Sequence, residues 1–447
     1  MSDMMPEYRE LLECFVSLQT VSDDPTKAED MLACAHELES EFREYDFRTE
    51  LVLGFGNPIV FARYDAKKAK TALIYGHYDV QPAKKSEGWT SDPFVLDERE
   101  GKLYGRGTND MKGLLLTQMV AAFYLIKNDA LAYNLIFVIE GNEENDGGDM
   151  PGFIKKYREQ LRCDLIITSD GQGMVMDSSL RGGFNVTVSA QTAPSDQHSG
   201  LFGGIMASAG NAIREFATHA QELVGERSDD WNNPLTIGLD DPPQKLLDLA
   251  PEFNIEEFKK NTGALLQREW TASEITKRLY FRPNIELIGF ECGYTGEGEE
   301  REGYRPSVIA KALAKFNVRL APMQPAREVG QRFKEWADET MGLILPKGSS
   351  WEVDMTPPEN GVLIWKDAPI QKRFHELVEG VVGSPVQLRP CGASIPVLTH
   401  FDEQLGAPII SISFGNEGAN IHGIDENISL VCIELGLRIY QAVLGTE

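Results

Sequence analysis

The chain has 447 residues, of which 42% are hydrophobic and 25% are charged, and its formal net charge is −26. These proportions are typical of a globular protein, whereas the acidic surplus repels phosphate backbones and argues against a nucleic-acid partner. No apolar stretch is long enough to cross a bilayer, so we expect no membrane partner.

The cysteines and the N-terminus indicate the cellular compartment. The six cysteines are scattered without paired spacing, which is typical of reduced thiols and not of a disulfide framework. The opening stretch MSDMMPEYRE is polar and acidic, and it lacks the basic and apolar regions of a signal peptide. Both features predict a cytoplasmic protein.

The first part of the chain alternates between helices and strands. Apolar residues at helical spacing predict helices over 4–19, 28–45 and 114–126. Short apolar runs predict strands over 47–53, 59–64, 71–75, 135–139 and 165–168. This alternation is typical of an α/β layer with a largely parallel sheet.

The pattern changes after residue 182. The segments FNVTVSAQ and KFNVRLAP alternate apolar and polar residues, which predicts strands with one solvated face. A further segment, SSWEVDM, and predicted helices over 207–223 and 327–341 complete an inserted α+β domain with an antiparallel sheet. Residues 229–277, rich in Asp, Pro and Trp, give no clear prediction.

The α/β pattern returns after Pro357 and Pro358, with helices predicted over 370–382 and 430–444 and a strand over 408–413. Because 447 residues exceed one ordinary core, we predict two domains. They are a discontinuous α/β domain of residues 1–182 and 358–447, and an inserted α+β domain of residues 183–357.

Histidines and carboxylates follow the apolar strands, at the carboxyl ends where open α/β sheets bind ligands. They are His77 and Asp79 after 71–75, Asp110 in a glycine-rich loop before a helix, Glu143 and Glu144 after 135–139, Asp170 after 165–168, and His422 in NEGANIHGIDEN.

Each of these residues alone has an ordinary explanation. A single histidine is usually a loop residue, Asp110 could cap the following helix, and Asp170 could form a turn. Together they would form a heavily charged cluster, which is costly unless cations neutralise it. Two histidines with several carboxylates suit zinc, manganese or cobalt better than magnesium or calcium.

Seven motifs occur in order along the chain: GHYDVQP, GW-x-x-DPF, LYGRG-x-x-D-x-KG, EG-x-EE, SDG, HSGLFGG and AN-x-H-x-x-x-EN. Together they resemble the family of two-metal zinc exopeptidases and deacylases that includes carnosine dipeptidases, aminoacylases and carboxypeptidase G. The likeness is strongest to the carnosine dipeptidase-like (cytosolic non-specific dipeptidase) branch, and it spans almost the whole chain.

The resemblance implies two divalent metal ions per subunit, with zinc expected and manganese or cobalt as alternatives. It implies that His77 and Asp170 bind one ion, that Glu144 and His422 bind the other, and that Asp110 bridges both. It further implies that Asp79 orients His77 through its second ring nitrogen, that Glu143 is the general base, and that the Asp110–Met111 peptide is cis.

The resemblance also implies roles for residues outside the metal ligands. His198 would reach the partner subunit's site in a homodimer and stabilise the oxyanion, and the inserted domain would be the lid and dimerisation domain. Arg319 would bind the substrate carboxylate, near Gly392 and Ser394. Ala393 stands where the family has a second glycine.

These observations predict a metal-dependent hydrolase that cleaves the amide bond of dipeptides or short peptides. An N-acyl- or N-succinyl-amino-acid deacylase of the same mechanism is the first alternative, so the substrate is a dipeptide or an N-acyl amino acid. A non-catalytic binding or scaffold protein on this fold is the second. Glu143 argues against a scaffold, which has no need of a base beside intact metal ligands.

Overall fold

The computed structural model describes residues 4–145, 148–223, 233–294 and 304–446. The chain forms two compact units. The first comprises Met1–Ser178, Ile364–Arg389 and His400–Glu447, and the second comprises Ser179–Leu363 and Pro390–Thr399. The second unit thus begins before the expected residue 183, ends after the expected residue 357, and includes a ten-residue segment that the sequence pattern assigns to the α/β domain.

The described residues form the following elements. The α-helices are α1 Met5–Ser17, α2 Ala28–Glu44, α3 Lys112–Lys127, α4 Met150–Tyr157, α5 Ser199–Phe202, α6 Ala209–Glu222, α7 Gln244–Leu249, α8 Ile255–Thr262, α9 Ala272–Phe281, α10 Ala326–Ile344, α11 Pro369–Val382, α12 Pro396–Leu405 and α13 Leu430–Leu444. The strands are β1 Arg48–Val52, β2 Ile59–Tyr64, β3 Thr71–His77, β4 Asp97–Arg99, β5 Lys102–Tyr104, β6 Asn134–Glu140, β7 Leu165–Thr168, β8 Val175–Leu180, β9 Gly182–Gln191, β10 Gln197–His198, β11 Asn284–Cys292, β12 Ser307–Val308, β13 Lys311–Leu320, β14 Ser350–Met355, β15 Val362–Leu363, β16 Gln387–Pro390, β17 Ile409–Ser413 and β18 Asn427–Ser429. Short 3-10 helices cover Pro25–Lys27, Lys85–Glu87 and Pro234–Thr236.

The sheet of the first unit runs in the order β1-β2-β6-β3-β7-β17-β8, with β16 also paired to β8. Its four central strands, β6, β3, β7 and β17, are parallel, and the flanking pairs are antiparallel. This arrangement confirms the predicted α/β class with a largely parallel sheet. A small three-stranded sheet, β18-β5-β4, accompanies it.

Helices cover both faces of this sheet, which explains why its central strands are continuous apolar runs. On one face α2 and α3 pack on the strands, and α1 and α13 pack on α3. On the other face Phe153 of α4 packs edge-on against Phe61, and Phe401 of α12 packs against Tyr75. Helix α3 is buried at nearly every position because it lies between the sheet and other helices.

The second unit is built on an antiparallel sheet in the order β11-β13-β9-β14. Strand β9 alternates buried and half-buried residues, as its sequence pattern predicts. The buried side chains of the sheet form one core with helices α6 and α10. The segment without a clear prediction contains, in its described part, the helices α7 and α8 and the beginning of α9.

Within the described ranges, the helices are either too short or too polar to cross a lipid bilayer.

Candidate dinuclear metal centre

The parallel register brings three strand ends to one edge of the first unit's sheet. Tyr75 pairs with Thr168, and His77 pairs with Glu140, so β3, β6 and β7 end side by side. The turns that follow β6 and β7 carry Glu143, Glu144 and Asp170. The fold therefore collects acidic side chains around His77, as is usual for ligand sites in α/β sheets.

The first group of possible metal ligands consists of His77, Asp110 and Asp170. Each offers one ligand atom, and these atoms lie within 4.8 Å of one another. Nε2 of His77 lies 3.2 Å from Oδ1 of Asp110. This group is the one that the family resemblance implies for one of the two ions.

The second group consists of Asp110, Glu144 and His422, with ligand atoms at equally close range. Nε2 of His422 lies 2.9 Å from Oδ2 of Asp110 and 3.2 Å from Oε2 of Glu144. Asp110 thus presents one carboxylate oxygen to each group, which is the geometry of a bridging ligand. The Asp110–Met111 peptide is cis, as the resemblance implies.

Asp79 contacts both the ring of His77 and the turn that follows β6. Its backbone oxygen lies 3.1 Å from Nδ1 of His77, and its Oδ1 lies 3.4 Å from the same atom. Its two carboxylate oxygens also accept the backbone N–H groups of Glu143 and Glu144, at 3.2 and 3.0 Å. Asp79 therefore holds the ring of His77 and the turn that carries the two glutamates.

The donor set fits a pair of divalent cations. Nε2 of His77 is buried and forms no well-aligned hydrogen bond among the described residues, although Oδ1 of Asp110 lies 3.2 Å away. A buried nitrogen that is poorly satisfied in this way is costly, and a bound cation would satisfy it. Imidazole nitrogens with carboxylate oxygens are the ligands of zinc and of similar transition metals.

The titration of the site reflects the crowding of acids around two imidazoles. Burial raises the pKa of Asp170 to about 7, and the nearby Asp110 carboxylate adds to this effect. Burial also raises the pKa of Glu143 well above its usual range. Hydrogen bonds to Asp110 and Glu144 raise the pKa of His422 to about 10. Bound cations would neutralise this crowded set of acids and favour their deprotonated forms.

Gln81 is a site residue that the sequence reasoning missed. Its Nε2 donates a hydrogen bond of 2.7 Å to Oε2 of Glu144, the same oxygen that faces His422. A hydrogen bond to a ligating carboxylate orients it toward the metal. The signal was present in the sequence, because Gln81 lies inside the GHYDVQP motif.

The other predicted residues lie in the second unit, whereas both ligand groups lie in the first. Arg319 is on β13, and its guanidinium donates to Oγ of Ser394 at 2.8 Å and to Oδ1 of Asn317 at 3.1 Å. It has no carboxylate partner among the described residues, so its charge is available to an anion. Gly392 precedes Ser394 by two residues in the same segment.

His198 ends the short strand β10 and pairs with Ser307 of β12. Its side chain is exposed, and its Nδ1 accepts the backbone N–H of Gly200 at 3.0 Å. Within the described part of the chain, Nε2 of this ring has no hydrogen-bond partner, so it is the nitrogen available to another molecule.

An α/β sheet edge that gathers two ligand groups joined by one carboxylate is the arrangement of a dinuclear metal-dependent hydrolase. The sequence profile of the peptidase family M20/M25/M40 matches residues 73–446, and the chain belongs to this family. This confirms both the family resemblance and the prediction of a metal-dependent peptidase.

Individual relatives are similar to this chain over most of their length. The Cys-Gly metallodipeptidase of Candida albicans is 24% identical over 96% of this chain and 92% of its own. The human Beta-Ala-His dipeptidase is 26% identical over 86% of this chain and 76% of its own. The crystal structure of an M20 family metallo-carboxypeptidase from Sulfolobus solfataricus superimposes with a TM-score of 0.88 at 23% identity, over 100% of this chain and 99% of its own.

Proposed function

We propose that this protein is a dipeptidase that hydrolyses the amide bond of dipeptides at a pair of divalent cations, with zinc as the native metal. The observation that carries the proposal is the sharing of Asp110 between two ligand groups, with Oδ1 toward His77 and Oδ2 toward His422. Relatives named for Cys-Gly and Beta-Ala-His dipeptides support dipeptides as the substrate class.

In this mechanism His77, Asp110 and Asp170 would hold one cation, and Asp110, Glu144 and His422 would hold the other. Such a pair, when bound, would lower the pKa of the attacking water toward neutrality and polarise the substrate carbonyl. Asp79 and Gln81 keep His77 and Glu144 in the orientation that ligation needs.

Glu143 is the proposed general base. Its Oε2 lies 4.0 Å from Nε2 of His77, yet it belongs to neither ligand group. Its carboxylate takes the proton of the attacking water and returns it to the leaving amine nitrogen.

Two residues of the second unit are proposed to act on the substrate. Arg319, held by a hydrogen bond to Ser394 near Gly392, binds the free carboxylate of the dipeptide.

His198 donates a hydrogen bond to the oxyanion in the site of a partner subunit, which requires a homodimer. Mixing Glu143→Gln with His198→Ala tests this, because subunit exchange should restore one working site per dimer. An active monomer, or exchange without activity, overturns it.

The substrate screen tests the proposed function. The purified protein is stripped with a chelator, reloaded with zinc, manganese or cobalt, and assayed on Cys-Gly, β-Ala-His and Ala-Xaa dipeptides. N-acetyl and N-succinyl amino acids serve as the competing substrate class. Metal-dependent release of free amino acids from the dipeptides is expected. Preferential cleavage of the acylated amino acids, or no hydrolysis by metal-loaded protein, would overturn the proposal.

A further inference from the structure

The carboxylate of Glu426 lies fully buried behind the loop that carries the bridging ligand. Its Oε1 accepts the backbone N–H groups of Asn109 and Asp110, at 2.9 and 3.0 Å. Its Oε2 accepts the backbone N–H of Gly107 at 3.1 Å and Nη1 of Arg106 at 2.8 Å. The Glu426 side chain thus accepts four hydrogen bonds from the loop of residues 106–110, and Asp110 in that loop lies 316 residues earlier in the chain.

These contacts leave the carboxylate no capacity to bind a cation itself. A buried carboxylate is tolerated when it is paired and hydrogen-bonded, and the guanidinium of Arg106, only 3% exposed, supplies the opposite charge. Four donors use the four acceptor positions of the two oxygens. Glu426 therefore acts on the loop, in contrast to Asp110 and Glu144, whose oxygens face the histidines.

Glu426 also belongs to the segment that carries the other metal ligand. His422 lies four residues earlier, with a backbone φ of 59°, a left-handed conformation that a non-glycine residue adopts only where its surroundings fix it. The guanidinium of Arg106 donates a second hydrogen bond, 3.2 Å long, to the backbone oxygen of Gly423. Glu426 and Arg106 therefore both join the loop of Asp110 to the loop of His422.

We propose that Glu426 is a positioning residue that fixes the backbone of Asp110, so that the two oxygens of the bridging carboxylate face His77 and His422 at once. It acts through Asp110 and contacts neither cation nor substrate. The expected loss of catalysis rests on the proposed function. The expected loss of metal affinity does not depend on which substrate the protein cleaves.

The test compares Glu426→Gln with Glu417→Gln. An amide presents one oxygen and one NH2 group, so whichever way it turns, two donors of the Asp110 loop lose their acceptor. Glu417 is an exposed glutamate on the same late segment, and the matched change there removes a charge without touching that loop. Both variants are examined by far-UV circular dichroism, thermal melting of the metal-free protein, cobalt titration and steady-state kinetics.

Glu426→Gln is expected to fold but to melt at a lower temperature than the wild type without metal, because Arg106 loses its buried counter-charge. At a temperature where both proteins are folded, it should bind cobalt about 10–100-fold more weakly. Its cobalt absorption spectrum should change, and kcat should fall while KM changes little. Glu417→Gln should match the wild type in every measurement. If the wild type binds two cations but cleaves no dipeptide, the proposed function fails while the metal titration still tests Glu426.

Two results would overturn the inference. One is a folded Glu426→Gln variant whose cobalt affinity stays within about twofold of the wild type. The other concerns the wild-type holoenzyme and does not depend on whether the variant folds. The amides of Asn109 and Asp110 should be protected from hydrogen exchange because they donate to Glu426. Exchange at unprotected rates would contradict the bonds on which the inference stands.

Discussion

Asp79→Asn tests whether one buried carboxylate organises the turn that carries the base. The change keeps the backbone oxygen that lies 3.1 Å from Nδ1 of His77, so the ring should keep its orientation. The turn that carries Glu143 and Glu144 should change its conformation, because the Asp79 carboxylate accepts their backbone N–H groups through different oxygens. In asparagine one of these oxygens becomes an NH2 group, which opposes a backbone donor.

The expected magnitude follows from the hydrogen bond that is lost. A hydrogen bond to a charged group contributes about 1.5–3 kcal/mol, and about 1.4 kcal/mol corresponds to a tenfold change in rate or affinity. We therefore expect kcat/KM on a dipeptide to fall about 10–100-fold and the affinity for the cation that Glu144 holds to weaken over a similar range.

The assay combines steady-state hydrolysis of a dipeptide with a zinc titration of the stripped protein. Asp65→Asn is the matched control, because Asp65 is exposed and its carboxylate also accepts one backbone N–H, from Lys67. That variant should keep wild-type kinetics. Wild-type kcat/KM and zinc affinity in a folded Asp79→Asn protein would refute the reasoning.

Three further predictions address the base, the anion site and the pH dependence of stability. Glu143→Gln should retain both cations but lose about 10²–10⁴-fold in kcat, measured by metal analysis and hydrolysis, and near-wild-type turnover would exclude its role as base. Arg319→Met should raise KM about 10–100-fold for dipeptides with a free carboxylate and leave their C-terminal amides unaffected, so equal effects on both would contradict carboxylate binding. Burial raises the pKa of Asp177 to about 6, against about 3.9 in an unfolded chain. Its ionisation therefore lowers the free energy of unfolding by about 3 kcal/mol above pH 6, and this loss disappears below about pH 4. Asp177→Asn, which keeps an acceptor for Ser411, should therefore raise Tm at pH 7.5 and leave it unchanged at pH 4, and a Tm gain independent of pH would count against this explanation.

The catalytic sheet was predictable because its strands are buried on both faces. Strands β3, β6 and β7 are uninterrupted apolar runs, and the polar residues that follow them mark where each strand ends. Parallel pairing then brings those residues to one edge. The choice of candidate ligands followed from this placement and from the motif resemblance together.

The elements that escaped prediction lack a local pattern. Strand β11 is an edge strand with a bulge after Leu287, and most of its side chains are exposed or half-buried, so its sequence shows neither a buried run nor clean alternation. The segment Pro390–Thr399 joins the second unit through contacts such as Arg319 with Ser394, which no periodicity reveals.

The role of Glu426 was equally hidden from the sequence. The motif AN-x-H-x-x-x-EN contains it, but residue type alone does not distinguish a metal ligand from a residue that accepts backbone N–H groups. The distinction requires knowing that the loop around Asp110, far away in the chain, folds against it.

The location of bound metal tests the central claim most directly. Crystals of the zinc-loaded protein, measured at the zinc absorption edge, should show two anomalous peaks about 3.5–4 Å apart. The carboxylate of Asp110 should lie between them, with His77 and Asp170 at one peak and Glu144 and His422 at the other. A single peak, or two peaks that do not share Asp110, would contradict a dinuclear centre at this sheet edge.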